Sequence, residues 1–129
     1  MSDGKPRNYF DPHELWCPCC KQGGIDPLLH AMLNTAREHA GIPFVLTSAY
    51  RCPAHNKEVG GSTTSSHLKG FAVDISVPDS TTRFKVQEAL FFAGFKRMEA
   101  GIDYIHVDID PVKPSPVSSL NKKIMSLAA

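Results

Sequence analysis

The sequence has no apolar run close to the roughly 20 residues that a membrane-spanning helix requires, which argues against membrane insertion. It also lacks a large excess of charge: a formal net charge of +1 at pH 7 speaks against a nucleic-acid binder driven by a positive field. There is no internal repeat and no low-complexity linker, so the 129 residues are expected to form a single domain. The opening, Met1 to Arg7, lacks the apolar stretch of a secretion signal, so synthesis in the cytoplasm is expected, with release only through another protein. What is present is ordinary for a globular chain. Hydrophobic content of 42% against 21% charged residues is enough to bury a core at this length.

Local patterns outline the elements. Residues 1–12 read as an irregular arm. Asp26-Pro27 offers a helix cap followed by proline at the first helical position. Leu29, Met32, Leu33, Ala36 and Ala40 then recur at helical spacing, and Gly41 supplies the stop. Phe44 to Tyr50 is apolar and partly β-branched, which predicts a strand. Ser80-Thr81-Thr82 is expected to cap a second helix with Val86, Ala89, Leu90 and Ala93 on one face, ended by Gly94. After Pro111 the tail is expected to be extended, with a short helical end. Together these predict an α+β fold in which a small antiparallel sheet packs against helices.

Two predicted strands carry the chemistry. From Phe71 to Val77, the large residues Phe71, Val73, Ile75 and Val77 alternate with Ala72, Asp74 and Ser76. From Tyr104 to Ile109, the apolar set is Ile105, Val107 and Ile109, leaving Tyr104, His106 and Asp108 on the other face. If the strands are neighbours, Asp74 and His106 share one open surface. His67 is seven residues before Asp74, an odd offset that a straight strand would send to the opposite face. A helix would align the pair but leave them roughly 10 Å apart along the axis. A bend at Gly70 is therefore required to bring His67 back. Two imidazoles and one carboxylate then form the ligand set of a catalytic zinc site with a position free for water. Asp103, three residues before His106, is an acid available to handle protons.

The run Ser48-Ala49-Tyr50-Arg51-Cys52-Pro53, then His55-Asn56, Gly60-Gly61, Ser65-x-His67-x-x-Gly70-x-Ala72-x-Asp74 and His106-Val107-Asp108 resembles the zinc D-alanyl-D-alanine carboxypeptidase family. That family includes phage L-alanyl-D-glutamate endopeptidases and shares its zinc core with the amino-terminal domain of hedgehog proteins. The resemblance covers about residues 9 to 110. It implies zinc held by His67, Asp74 and His106, with peptides of the bacterial cell wall as substrate. It also places the proton-handling acid at Asp103, where the family carries a glutamate or aspartate.

Arg51, at the end of the predicted Phe44–Tyr50 strand like the family's matching arginine, suits a developing oxyanion or a substrate carboxylate. The competing role is a surface ion pair. Ser65 is expected to bond substrate or buttress His67. Asp108 is expected to orient a ligand or to replace Asp103 as the working acid. His55 is expected to line the site without binding zinc, while His13, His30 and His39 are expected to be surface or packing residues.

The expected activity is hydrolysis of peptidoglycan stem peptides at a D-Ala-D-Ala or an L-Ala-D-Glu bond. A phage lysis enzyme or phage particle component reaching the wall fits the lack of a secretion signal, and a monomer is the default. The alternative is a catalytically silent wall-binding or structural module that keeps zinc for stability. Cys17, Cys19, Cys20 and Cys52 are read first as small buried residues with free thiols. The Cys17-x-x-Cys20 spacing also admits a structural metal site, provided Cys52 or a histidine joins it, and an oxidising compartment admits a disulfide to Cys52.

Overall fold

The structure, a computed structural model, describes residues 7–120. Where the expected arm ends a short helix, α1 (Pro12–Leu15), is closed by a reciprocal cap between Asp11 and Glu14. Asp26 accepts from the Leu28 N–H and starts α2 (Pro27–Ala40), which Gly41 ends in the left-handed conformation at φ 69°. The chain continues through β1 (Leu46–Ser48), α3 (Pro53–Glu58), a 3₁₀ turn (Ser66–Lys69) and β2 (Ala72–Ser76). It is completed by α4 (Ser80–Phe92), β3 (Arg97–Ala100), β4 (Tyr104–Asp108) and β5 (Val117–Leu120).

Several boundaries differ from expectation. The predicted Phe44–Tyr50 strand shortens to β1, because only Leu46 and Ser48 find partners, with an irregular register between them. The cap of α4 is Asp79, not the Ser80-Thr81-Thr82 run. The Asp79 carboxylate accepts from the Thr82 N–H at 2.7 Å, so those hydroxyl residues enter the first turn. The tail is extended as expected as far as β5, and its expected helical end lies outside the described residues.

The five strands form one sheet in the order β1-β2-β4-β3-β5. All neighbours are antiparallel except β3 and β5, which run parallel. The expected adjacency of the two chemical strands is found: β2 pairs with β4, with Asp74 directly opposite His106.

One face of the sheet buries Val73, Ile75, Ile105, Val107 and Met98 in a core shared with α2 and α4. From α2 come Leu29, Leu33 and Ala36, and from α4 Val86, Ala89 and Leu90, all fully buried. Each such large side chain contributes about 1.5–3 kcal/mol. Phe71 and Ile109, expected to face inward, sit at the ends of their strands and are only half-buried. Among the described residues, no helix is long and apolar enough to cross a membrane.

The opposite face is where the polar residues of the alternation emerge. A transverse line of paired positions, Ser48, Asp74, His106, Glu99 and Ser119, crosses all five strands.

Candidate metal centre

His67 reaches this line through two local devices. Ser65 caps the 3₁₀ turn by accepting from the His67 N–H at 3.2 Å. Gly70 then ends the turn at φ +73°, a backbone region that suits glycine. A Cβ there would also lie 3.0 Å from the Gly24 carbonyl oxygen. The bend turns the chain into β2 and directs the buried His67 ring back toward Asp74.

Three donor atoms converge. Asp74 Oδ1 lies 3.2 Å from His67 Nε2 and 3.0 Å from His106 Nδ1. All three ligand atoms fall within 4.8 Å of one another. Each imidazole is fixed from behind. The remaining nitrogen of His67, Nδ1, is 2.7 Å from the Ala49 carbonyl oxygen, and His106 Nε2 is 2.8 Å from Asp108 Oδ2. Both partners accept, so those nitrogens carry the protons and the lone pairs of the neutral rings face Asp74. Lone pairs converging in this way repel unless a proton or a cation lies among them.

The electrostatics agree. Burial opposes a charged carboxyl at Asp74, but where a proton lies between it and the imidazoles, hydrogen bonds from His106 and His67 hold it well below the usual carboxylate range. Burial also opposes a charged ring at His106, yet the Asp108 and Asp74 carboxylates outweigh it and push His106 up to about 9. Asp108 is likewise held down to about 2, against its own burial, by His106 and Arg97. The pocket is built to favour positive charge between its carboxylates. Two imidazole nitrogens and one carboxylate oxygen, each oriented from outside, fit a zinc ion that keeps a coordination position for another ligand.

The other sequence-predicted residues fall at different distances from this point. Arg51 is anchored by Nε to Ser48 Oγ at 3.0 Å and by Nη1 to Asn56 Oδ1 at 3.3 Å, with Nη2 3.6 Å from Asp74 Oδ2. Asp103 is exposed in the turn before β4, where its carbonyl accepts from Val77 N–H at 2.8 Å. Arg51, Ser65, Asp103 and Asp108 all border one cavity of about 750 Å³ over the open sheet face.

Asp108 is almost wholly buried, and both its oxygens are engaged. Oδ1 accepts from Arg97 Nε at 2.7 Å and from the Asp110 N–H, while Oδ2 meets His106. That geometry suits the orientation of His106 and leaves no free oxygen for water. His55, expected at the site, is on α3, does not border the cavity, and donates its N–H to Cys52 Sγ.

Sequence reading missed Glu99, which lies on β3 opposite His106 of β4 and borders the cavity, because β3 itself was not recognised. It also missed Asn56 as the anchor of Arg51. That contact shows only in the fold, where Gly61 makes room for it: a Cβ there would lie 2.1 Å from Asn56 Oδ1 and 3.0 Å from Arg51 Nη1.

A family model described as Peptidase M15 matches residues 8–108. No curated protein matches the chain.

Proposed function

The chain belongs to the Peptidase M15 family, whose members are zinc-dependent metallopeptidases, and from that membership we propose that it cleaves stem peptides of bacterial peptidoglycan. What supports the reading is one observation. His67, Asp74 and His106 converge on a point that shares its cavity with an acid, Asp103, and an anchored guanidinium, Arg51.

In this proposal His67 Nε2, Asp74 Oδ1 and His106 Nδ1 hold the zinc. When bound, zinc polarises the scissile carbonyl and makes water nucleophilic near neutral pH. Asp103 takes the proton from the attacking water and delivers it to the leaving amine. Its exposed turn leaves its carboxylate free of the pairing that occupies Asp108. Arg51, held by Ser48 and Asn56, donates to the carbonyl oxygen as it gains charge, or to a substrate carboxylate beside the cut bond. Ser65 holds the His67 backbone, and Asp108 holds the His106 ring.

Two bonds satisfy this arrangement, the terminal D-Ala-D-Ala linkage and the L-Ala-D-Glu linkage. The protein acts on the cell wall in either case. Digestion of purified peptidoglycan by the zinc-loaded chain, with mass analysis of the products, is expected to show stem peptides shortened at one of them. Intact stem peptides after incubation with protein that retains its zinc would instead leave a non-catalytic wall module as the better account.

A further inference from the structure

The cysteines do not behave as small core residues. Only Cys17 is buried; Cys19 and Cys20 are exposed and Cys52 is intermediate. Free cysteine is among the most buried residue types, so two exposed thiols held beside two others ask for another cause. The four sulfurs lie within 4.8 Å of one another. Cys17 Sγ is 3.5 Å from Cys19 Sγ, and Cys19 Sγ is 3.1 Å from Cys52 Sγ, far beyond a disulfide bond of about 2.05 Å. A tetrahedral zinc with sulfur ligands at about 2.3 Å places its sulfurs about 3.8 Å apart. The two shortest contacts lie somewhat below that value, and no pair of the four is more than 4.8 Å apart.

The backbone around the sulfurs is also held in place. The loop folds back on itself through Cys17 N–H to the Gln22 carbonyl at 2.8 Å and Lys21 N–H to the Cys17 carbonyl at 2.7 Å. Lys21 takes a positive φ of 55° to allow it. Cys52 caps α3, its sulfur accepting from the His55 N–H at 3.4 Å. An amide donor aimed at a sulfur stabilises negative charge there.

We propose that Cys17, Cys19, Cys20 and Cys52 bind a second zinc ion in a closed, four-thiolate structural site. Its role follows from what it joins. Three ligands come from the loop after α1, and the fourth is the residue immediately after Arg51. The ion fastens the amino-terminal segment to the start of α3, next to the Tyr50 N–H that already bonds the Leu15 carbonyl at 3.3 Å. It is a positioning element for Arg51 and takes no part in the chemistry.

The test is metal content and spectroscopy of the full chain purified in reducing buffer. One ion per cluster, two per chain, is expected by elemental analysis. A His67→Ala/His106→Ala variant is expected to keep one zinc. After cobalt exchange, that variant should show the intense near-ultraviolet thiolate-to-cobalt charge-transfer band. Cys20→Ser should lose most of that band while the ion at His67, Asp74 and His106 remains.

If Cys20→Ser fails to fold, the unaltered protein still decides. Its thiols should react with a disulfide reagent at least tenfold faster once a chelator has removed the metal. A single zinc per chain that disappears with the two histidines, no charge-transfer band, or a disulfide in the intact mass would each overturn the proposal. None of these results depends on whether peptidoglycan is cut.

Discussion

The two clusters of ligating side chains are built on opposite plans. The His67, Asp74 and His106 group takes mixed nitrogen and oxygen donors, two of them from paired central strands. The cysteine group takes four like donors from a short loop and the cap of a six-residue helix. In the first, the fold is complete without the ligands' help, because the opposite sheet face buries Val73, Ile75, Ile105 and Val107. In the second, little apolar packing holds the loop, since Pro18, Cys19, Cys20 and Lys21 are all exposed. A site made by the fold has ligand positions to spare for a substrate. A site that makes the fold uses every position.

The sharpest break between the two comes from removing a ligand. Asp74→Ala is expected to abolish peptide cleavage and the zinc bound beside it while shifting the melting temperature little, as followed by metal analysis and thermal unfolding. If it instead unfolds the chain, the first cluster is structural too.

Asp103→Ala separates binding from proton transfer. It should lower kcat by roughly 10²–10⁴ with zinc content unchanged. Glu99→Gln, on β3 and on the same face, should cost less than about tenfold. Reversal of that order would move the acid from the turn to the sheet.

Asp108→Asn tests orientation. The charged partner of His106 is lost, and affinity at the first cluster should fall about 10–100-fold in a competitive zinc titration. The same substitution bears on acid stability. The Asp108 carboxyl is depressed to about 2 from the usual value near 3.8, so its stabilisation is present above about 4 and disappears as pH falls toward 2. Metal-stripped Asp108→Asn should therefore show a flatter loss of stability across that window, by about 2 kcal/mol, in denaturant unfolding.

The smallest effect is expected from Gly61→Ala. The added methyl must displace the Asn56 amide, freeing Arg51, and should reduce cleavage several-fold with both metals retained. Elemental analysis alongside steady-state rates checks it.

Much of the first cluster was legible because strand alternation is a strong local signal. Val73, Ile75, Ile105 and Val107 point one way, so Asp74 and His106 had to point the other. The Gly70 bend was forced by an offset that neither a strand nor a helix could satisfy. What escaped was set by tertiary pairing.

Arg97-Met98-Glu99-Ala100 has no β-branched residue and becomes a strand only because β4 and β5 flank it. With it went Glu99 and the Arg97 that braces Asp108. Asp79 was passed over as a cap because three hydroxyl residues follow it, each able to play that part locally. The cysteine spacing was visible, but the fourth sulfur is 33 residues from Cys19, a distance only the fold closes.

The row of residues across the sheet has a kinetic corollary. Asp74 and His106 occupy β2 and β4, each of which has a paired strand on both sides, while the margins are β1 and β5. Fraying, which begins at unpaired borders, can peel away either margin without parting Asp74 from His106. Amide protons at those two positions should thus be among the slowest to exchange with deuterated solvent, and the reaction centre should last until the whole domain gives way.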